Sequence, residues 1–202
     1  ALIGLIVAMS GVYLASHVGV MWVFVEATTL CVSVLIYHER TSLALEAAWK
    51  YVFICSIGVA IAFAGIIFLS AGIRESGSIN LSFGSVHRHL QHADVFWLKL
   101  AFLFMLIGFS TKMGLFPMHP ICVDAHTVAP PPISAFISTT LMNAGFIAIF
   151  RIYSLLAPSP IQPWMNGILL WSGLLSVVVS AVYLMRVQHL KRMSAYSSLE
   201  HM

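Results

Sequence analysis

The sequence predicts an all-α, polytopic transmembrane helix bundle of about six spans plus the start of a seventh, with one span broken near Lys112–Pro117. Three observations carry this. First, 60% of the 202 residues are apolar or aromatic and 8% are charged, with a mean hydropathy of +0.95. Soluble domains carry roughly 45–50% apolar and about 25% charged residues, and ten Lys/Arg with seven Asp/Glu cannot clothe a water-facing surface. Second, the apolar residues fall in runs long enough to cross a bilayer, which takes about 20 residues. Third, Gly114 and Pro117 close one of these runs, a pairing that breaks a membrane helix where the freed backbone groups face protein or water.

The same composition excludes other classes. The chain is too apolar to stay disordered in water. A net charge of +3 is too small and too scattered for a nucleic-acid footprint. Cys31, Cys55 and Cys122 lie far apart with no CxxC spacing, so they read as small apolar packers. No cleavable signal pattern is visible. Ala1 opens inside an apolar run and Met202 follows what reads as the start of another helix. The expectation is an internal piece of a longer protein, with residues 1–202 forming one partial membrane domain.

The run from Ala1 to Tyr37 is too long for one helix and splits near Ser16-His17, giving helices over 1–15 and 18–37. His38 to Ser42 is a polar turn, and Leu45 to Ser70 is the third span. Gly72 to Asp94 is an extramembrane loop with room for a short interfacial helix; it holds Arg74, Glu75, Arg88, His87, His89 and His92. Val95 to Thr111 is the fourth span and ends in the break. Pro130 to Pro132 precede the fifth, Ile133 to Leu156. Pro158, Pro160 and Pro163 mark a tight loop before the sixth, Trp164 to Met185. The seventh starts at Ser194. The loops at Arg40 and at Arg186, Lys191 and Arg192 share one face. Arg74, Arg88 and Arg151 lie towards the other, so the positive-inside rule makes the Arg40 face cytoplasmic.

Glu26 lies inside an apolar helix, where a carboxylate is costly and usually faces a bundle interior or a partner. Its alternative is a carboxyl that only fixes packing. Lys112 stands at the break, within reach of internal water. Burial and a nearby carboxylate act oppositely on a lysine's charge, and together they make a tunable proton site. Its alternative is snorkelling to the interface. Lys50 is divided between snorkelling and a relay role; snorkelling accounts for Lys99, interfacial anchoring for Arg151 and His17. His119, Asp124 and His126 are metal-capable types without HExxH or cysteine spacing; polar capping or proton uptake suits them better. No phosphate loop, haem or iron–sulfur spacing and no catalytic triad is present. The residues therefore imply neither a cofactor nor a redox active site in this chain.

Three stretches together carry a resemblance. Trp22-Val23-Phe24-Val25-Glu26-Ala27-Thr28-Thr29-Leu30 resembles the glutamate-bearing fifth helix of the antiporter-like membrane subunits of respiratory complex I. Thr111-Lys112-Met113-Gly114-Leu115-Phe116-Pro117-Met118-His119, with Asp124-Ala125-His126 after it, resembles the broken seventh helix of that family. Leu190 to Met202 resembles the start of the tenth. The Glu26-Ala27-Thr28-Thr29-Leu30 form and Leu45 to Tyr51 look most like the hydrogenase-4 and formate hydrogenlyase branch, component F in particular.

The resemblance implies a middle slice, about helices four to ten, of a proton-translocating subunit in a bacterial or archaeal cytoplasmic membrane. Its partners would be the other membrane and peripheral subunits of a hydrogenase or complex I-like assembly. Glu26 and Lys112 match the family's coupled pair, and Lys50 matches a lysine often found in the sixth helix. Asn143 stands where many relatives carry a second lysine. The alternative functions are a monovalent cation/proton antiporter subunit, a membrane metalloenzyme using His119, Asp124 and His126, and a scaffold. One geometric condition attaches to the pair. At 1.5 Å per residue, Glu26 is about 12 Å from Val18 and Lys112 about 26 Å from Val95. On straight, flush helices the two are offset by roughly 14 Å in depth; a fourth span that starts outside the bilayer, with the break bending its end, brings them together.

Overall fold

His17 sits in extended backbone and accepts the amide of Gly19 on its ring nitrogen at 3.1 Å, so the first apolar run divides at the expected place. A computed structural model of the chain describes residues 1–73, 80–90, 93–116 and 118–200. Arg74, Glu75, His92, Pro117 and the last two residues lie outside the described residues. Among the described residues ten α-helices follow in order: α1 (Leu2–Leu14), α2 (Val18–Ile36), α3 (Ser42–Gly72), α4 (Phe83–His89), α5 (Val95–Met113), α6 (His119–Val128), α7 (Pro131–Phe136), α8 (Met142–Leu156), α9 (Gln162–Leu184) and α10 (Leu190–Glu200). Among the described residues there is no strand, only an isolated bridge between His17 and Ser82.

Among the described residues, five segments are long and apolar enough to cross a membrane: Val18–Glu39, Ser42–Gly72, Val95–Met113, Pro131–Leu156 and Gln162–Leu184. α1 is equally apolar, but its 13 residues rise only about 20 Å, short of a hydrocarbon core of about 30 Å. The interfacial helix anticipated in the long loop is α4, whose N-cap Ser82 accepts the amide of Ser85. The span ending at Leu156 is not uniform. Ile137–Leu141 forms a π-helical stretch between α7 and α8, and the side-chain amide of Asn143 bonds back to the carbonyl of Thr139 within it.

α3 is the longest element and the one that places the others. Thr41 caps it by accepting the amide of Ala44. Its 31 residues run about 46 Å, more than a hydrocarbon core needs. The indole of Trp22 donates to the carbonyl of Val59 at 2.7 Å, which fixes α2 against α3. Val18 is four residues before Trp22 and Gly72 is thirteen beyond Val59. α3 therefore overshoots the start of α2 by about 14 Å. α5 returns from that overhang, with Gly72 against Trp97.

α3 and α5 pack closely because small residues face each other. A Cβ on Gly108 would come within 2.5 Å of the carbonyl of Gly58 and of the side chain of Ala62. In a membrane, where lipid is as apolar as leucine, such backbone approach is what favours helix association. The main core joins α1, α2, α3, α5 and α8 through residues such as Val18, Met21, Val59, Phe102 and Ile152. A second core around Tyr51, Cys55, Ala125 and Ile137 joins α3 to α6 and the α7–α8 rod. α10 lies on α6 through Tyr196, Ala195 and Val123.

Candidate functional site at the break in the fourth span

α5 stops at Gly114, whose φ of 86° is the left-handed value that glycine adopts without cost. The amides of Gly114 and Leu115 both return to the carbonyl of Ser110, at 2.8 and 3.2 Å. That leaves the carbonyl of Thr111 without its helical partner. Two buried thiols take it: Cys122 donates at 3.6 Å from α6 and Cys55 lies 4.0 Å away on α3. On the far side of the break the amide of Phe116 donates to Ser176 of α9 at 2.9 Å. The Thr111 carbonyl and the Phe116 amide, freed by the break, are thus met by side chains of three other helices, as a membrane helix needs where it is interrupted.

The last turn of α5 carries Lys112, a lysine only 2% exposed. Its ammonium donates to the hydroxyl of Thr29 on α2. Thr29 is also 3.4 Å from Glu26 Oε2, and Ser56 of α3 donates to Glu26 Oε1 at 2.8 Å. Glu26, Thr29 and Lys112 therefore form one polar chain inside the bundle. The overshoot of α3 and α5 supplies the 14 Å that brings the two ionisable groups to one depth. Against the other side of Lys112, α8 presents Gly145. A Cβ there would lie 2.8 Å from the amide of Met113 and 3.0 Å from the Cβ of Lys112. The ring of Tyr51 is beneath the ammonium, 5.2 Å from Nζ to its centroid.

The other sequence candidates are distributed differently. Lys50 is ion-paired with Glu46, one turn earlier on α3, at 2.5 Å; the two side chains are 57% and 59% exposed. It is not joined to the Glu26–Lys112 chain. Asn143 is exposed on α8. Asp124 pairs with Arg192 at 2.9 Å. His126 Nδ1 is 3.0 Å from the hydroxyl of Ser134. His119 is buried, stacked on Phe116, with Tyr183 and Tyr196 beside it. Neither ring nitrogen of His119 has a partner among the described residues. Also among the described residues, no three His, Cys, Asp or Glu side chains group as a metal site, so His119, Asp124 and His126 do not assemble into the metal set the sequence allowed.

Some members of the site were not singled out from sequence. Thr29 is three residues after Glu26, the spacing that puts side chains on one helix face, and that spacing was the available signal. Tyr51 and Ser56 carry no such mark in an apolar helix. Arg151 closes the C-terminus of α1. It donates to the carbonyls of Val12 at 2.9 Å, Tyr13 at 3.2 Å and Ala15, and its guanidinium lies over Phe83. A cation at a helix C-terminus meets the orphan carbonyls and the negative end of the dipole together.

The fourth span thus ends in a break that carries a buried lysine joined through one hydroxyl to a glutamate. Residues 15–202 match the family described as "NADH:quinone oxidoreductase/Mrp antiporter, TM", and the chain belongs to it. It is 35% identical over 191 residues to a hydrogenase-4 component F homolog of Methylacidiphilum infernorum, covering 93% of this chain and 40% of that protein. It is 28% identical over 200 residues to the NADH-quinone oxidoreductase subunit N of Ectopseudomonas mendocina, covering 98% of this chain and 39% of that one. The fold is shared with a chain of the membrane-bound sulfane sulfur reductase, an archaeal respiratory membrane complex: TM-score 0.88, 24% identity, 97% of this chain and 39% of that chain. A chain of respiratory complex I from Thermus thermophilus gives a TM-score of 0.82 at 25% identity, over 98% of this chain and 41% of that one. The chain spans about two fifths of the length of these relatives.

Proposed function

We propose that this chain is the proton-handling stretch of a membrane subunit that translocates protons for a redox-driven complex of the hydrogenase, formate hydrogenlyase or NADH dehydrogenase type. The observation that carries the reading is the Glu26–Thr29–Lys112 chain, with Thr29 and Lys112 buried and Glu26 half-buried, where a membrane helix is interrupted. An ammonium held one hydroxyl away from a carboxylate is neither locked in an ion pair nor abandoned. Small movements of Glu26 change how well the charged lysine is stabilised. Lys112 takes and releases a proton, Glu26 and Thr29 set when, and the break gives water a way to it.

In this reading residues 1–202 are part of a single proton-conducting domain, and its partners are the other membrane and peripheral subunits of the assembly. His119, Asp124 and His126 lie on α6 beyond the break and suit proton entry on the cytoplasmic side. The exposed faces of Lys50 and Asn143 suit contacts made by the rest of the subunit. The redox chemistry belongs to partner subunits. A monovalent cation/proton antiporter subunit is the second reading, favoured by the Mrp antiporters in the family description. Vesicle acidification driven by the complex's electron donor, with and without sodium, tests the two. Sodium-independent acidification that Lys112→Ala abolishes supports proton translocation. Acidification that requires sodium supports the antiporter.

A further inference from the structure

We propose that Tyr51 is a positioning residue for Lys112, its ring face holding the lysine's ammonium form; the inference rests on the proton-carrier reading of Lys112. An ammonium has three protons to place. Among the described residues Lys112 Nζ has one hydrogen-bond acceptor, Thr29 Oγ1. The ion pairs among those residues are Lys50–Glu46 and Arg192–Asp124, so no carboxylate touches Lys112 directly. What does face it is the ring of Tyr51, with Nζ 5.2 Å from the centroid. A cation within about 6 Å of an aromatic face is attracted to the ring quadrupole, and the attraction grows when the pair is desolvated. Both residues are 2% exposed.

The ring is held rather than free to turn away. Tyr51 belongs to the second core, together with Cys55 one turn on, Ala125 of α6 and Ile137 and Leu141 of the π-helical stretch. The part of Tyr51 that meets Lys112 is the ring face. The adjacent Lys50 is turned to the exposed face of the same helix. The residue after the expected relay lysine is the one that meets Lys112.

The titratable groups around Lys112 are Glu26 from α2, Tyr51 and Cys55 from α3, and Cys122 from α6. α8 contributes the backbone of Gly145. Glu26 acts through Thr29 and the two thiols are bonded to the carbonyl of Thr111, which leaves the ring as the direct contact on its side.

The test uses the full-length subunit in its complex, in vesicles at matched subunit level. Proton transport is measured against pH for wild type, Tyr51→Phe, Tyr51→Leu and a protein with 3,4,5-trifluorophenylalanine at position 51. Fluorine withdraws the ring's negative face with little change of shape, so this variant decides the matter even where Tyr51→Leu fails to assemble. Tyr51→Phe should keep the wild-type midpoint of the alkaline limb. The trifluoro variant should lower it by about 0.5–1 pH unit, a threefold to tenfold loss of proton affinity. A trifluoro midpoint equal to that of Tyr51→Phe overturns the inference. So does a Tyr51→Phe midpoint displaced as far as the trifluoro one, which would assign the effect to the hydroxyl. Lys112→Arg is run in parallel. If it transports like wild type, the carrier reading itself fails. If it is inactive while fluorination leaves the midpoint unmoved, only the role of Tyr51 falls.

Discussion

Glu26 and Lys112 face each other across a single hydroxyl: Thr29 is 3.4 Å from the carboxylate and accepts the ammonium's hydrogen bond. A direct ion pair would hold both charges fixed. One intervening hydroxyl leaves the lysine's charge sensitive to small displacements of α2 against α5.

Thr29→Val keeps the shape of the bridge and removes its oxygen. Coupled proton transport should fall roughly threefold to tenfold, the scale of one net hydrogen bond, with the subunit's membrane level unchanged. Thr29→Ser should retain transport. Vesicle acidification rates for the three proteins decide it, and a wild-type rate for Thr29→Val would remove the hydroxyl from the proton chain.

Glu26→Gln keeps the hydrogen bond from Ser56 available and removes the charge. Proton pumping should drop while insertion and assembly are preserved, because the lysine loses the carboxylate that favours its charged form. Wild-type pumping at wild-type subunit level would return Glu26 to a packing role.

Gly145→Ala should destabilise the subunit by about 1–3 kcal/mol, the usual cost of overpacking, because its Cβ would press on the backbone and side chain at Lys112 and Met113. Gly167→Ala in α9 is the control: nothing lies within 4 Å of the new atom, and alanine is the better helix former. Thermal melting of the detergent-solubilised complex should separate the two, with the Gly145 variant melting lower and the Gly167 variant at or above wild type.

Arg151→Met should loosen the end of α1 while leaving the Glu26–Lys112 chain in place, since it strips three carbonyls of their donor. Bonds from charged donors contribute about 1.5–3 kcal/mol. Limited proteolysis near Ser16-His17 should accelerate in the variant, and unchanged cleavage would assign Arg151 to the headgroup layer instead.

How far the sequence carried depended on what each residue reveals without its neighbours. The division at Ser16-His17 and the break at Gly114 were legible because a polar residue or a glycine marks each. Glu26 and Lys112 were legible because an ionisable group in an apolar helix is costly. The ends of α3 were not. Hydropathy runs from Leu45 to Ser70, whereas the helix extends from Ser42 to Gly72, and its depth relative to α2 is set by tertiary bonds, from Trp22 to Val59 and from Ser56 to Glu26. Lys50 was expected to share in the relay or to snorkel; its pairing with Glu46 depends on a helical spacing the sequence did contain. Tyr51 was invisible because a tyrosine in an apolar run has no local signature. The π-helical stretch Ile137–Leu141 before Asn143 has none either.

The central claim is that Lys112 carries the proton by changing its charge. Lys112→Arg keeps a positive group at the break but cannot release a proton, because the guanidinium stays protonated. The decisive measurement is acidification of vesicles holding the full complex, alongside redox turnover, for wild type, Lys112→Ala and Lys112→Arg. The account predicts that both variants assemble and turn over electrons at wild-type or reduced rates while neither acidifies. Full acidification by Lys112→Arg would contradict it, leaving a fixed positive charge as all that position 112 supplies.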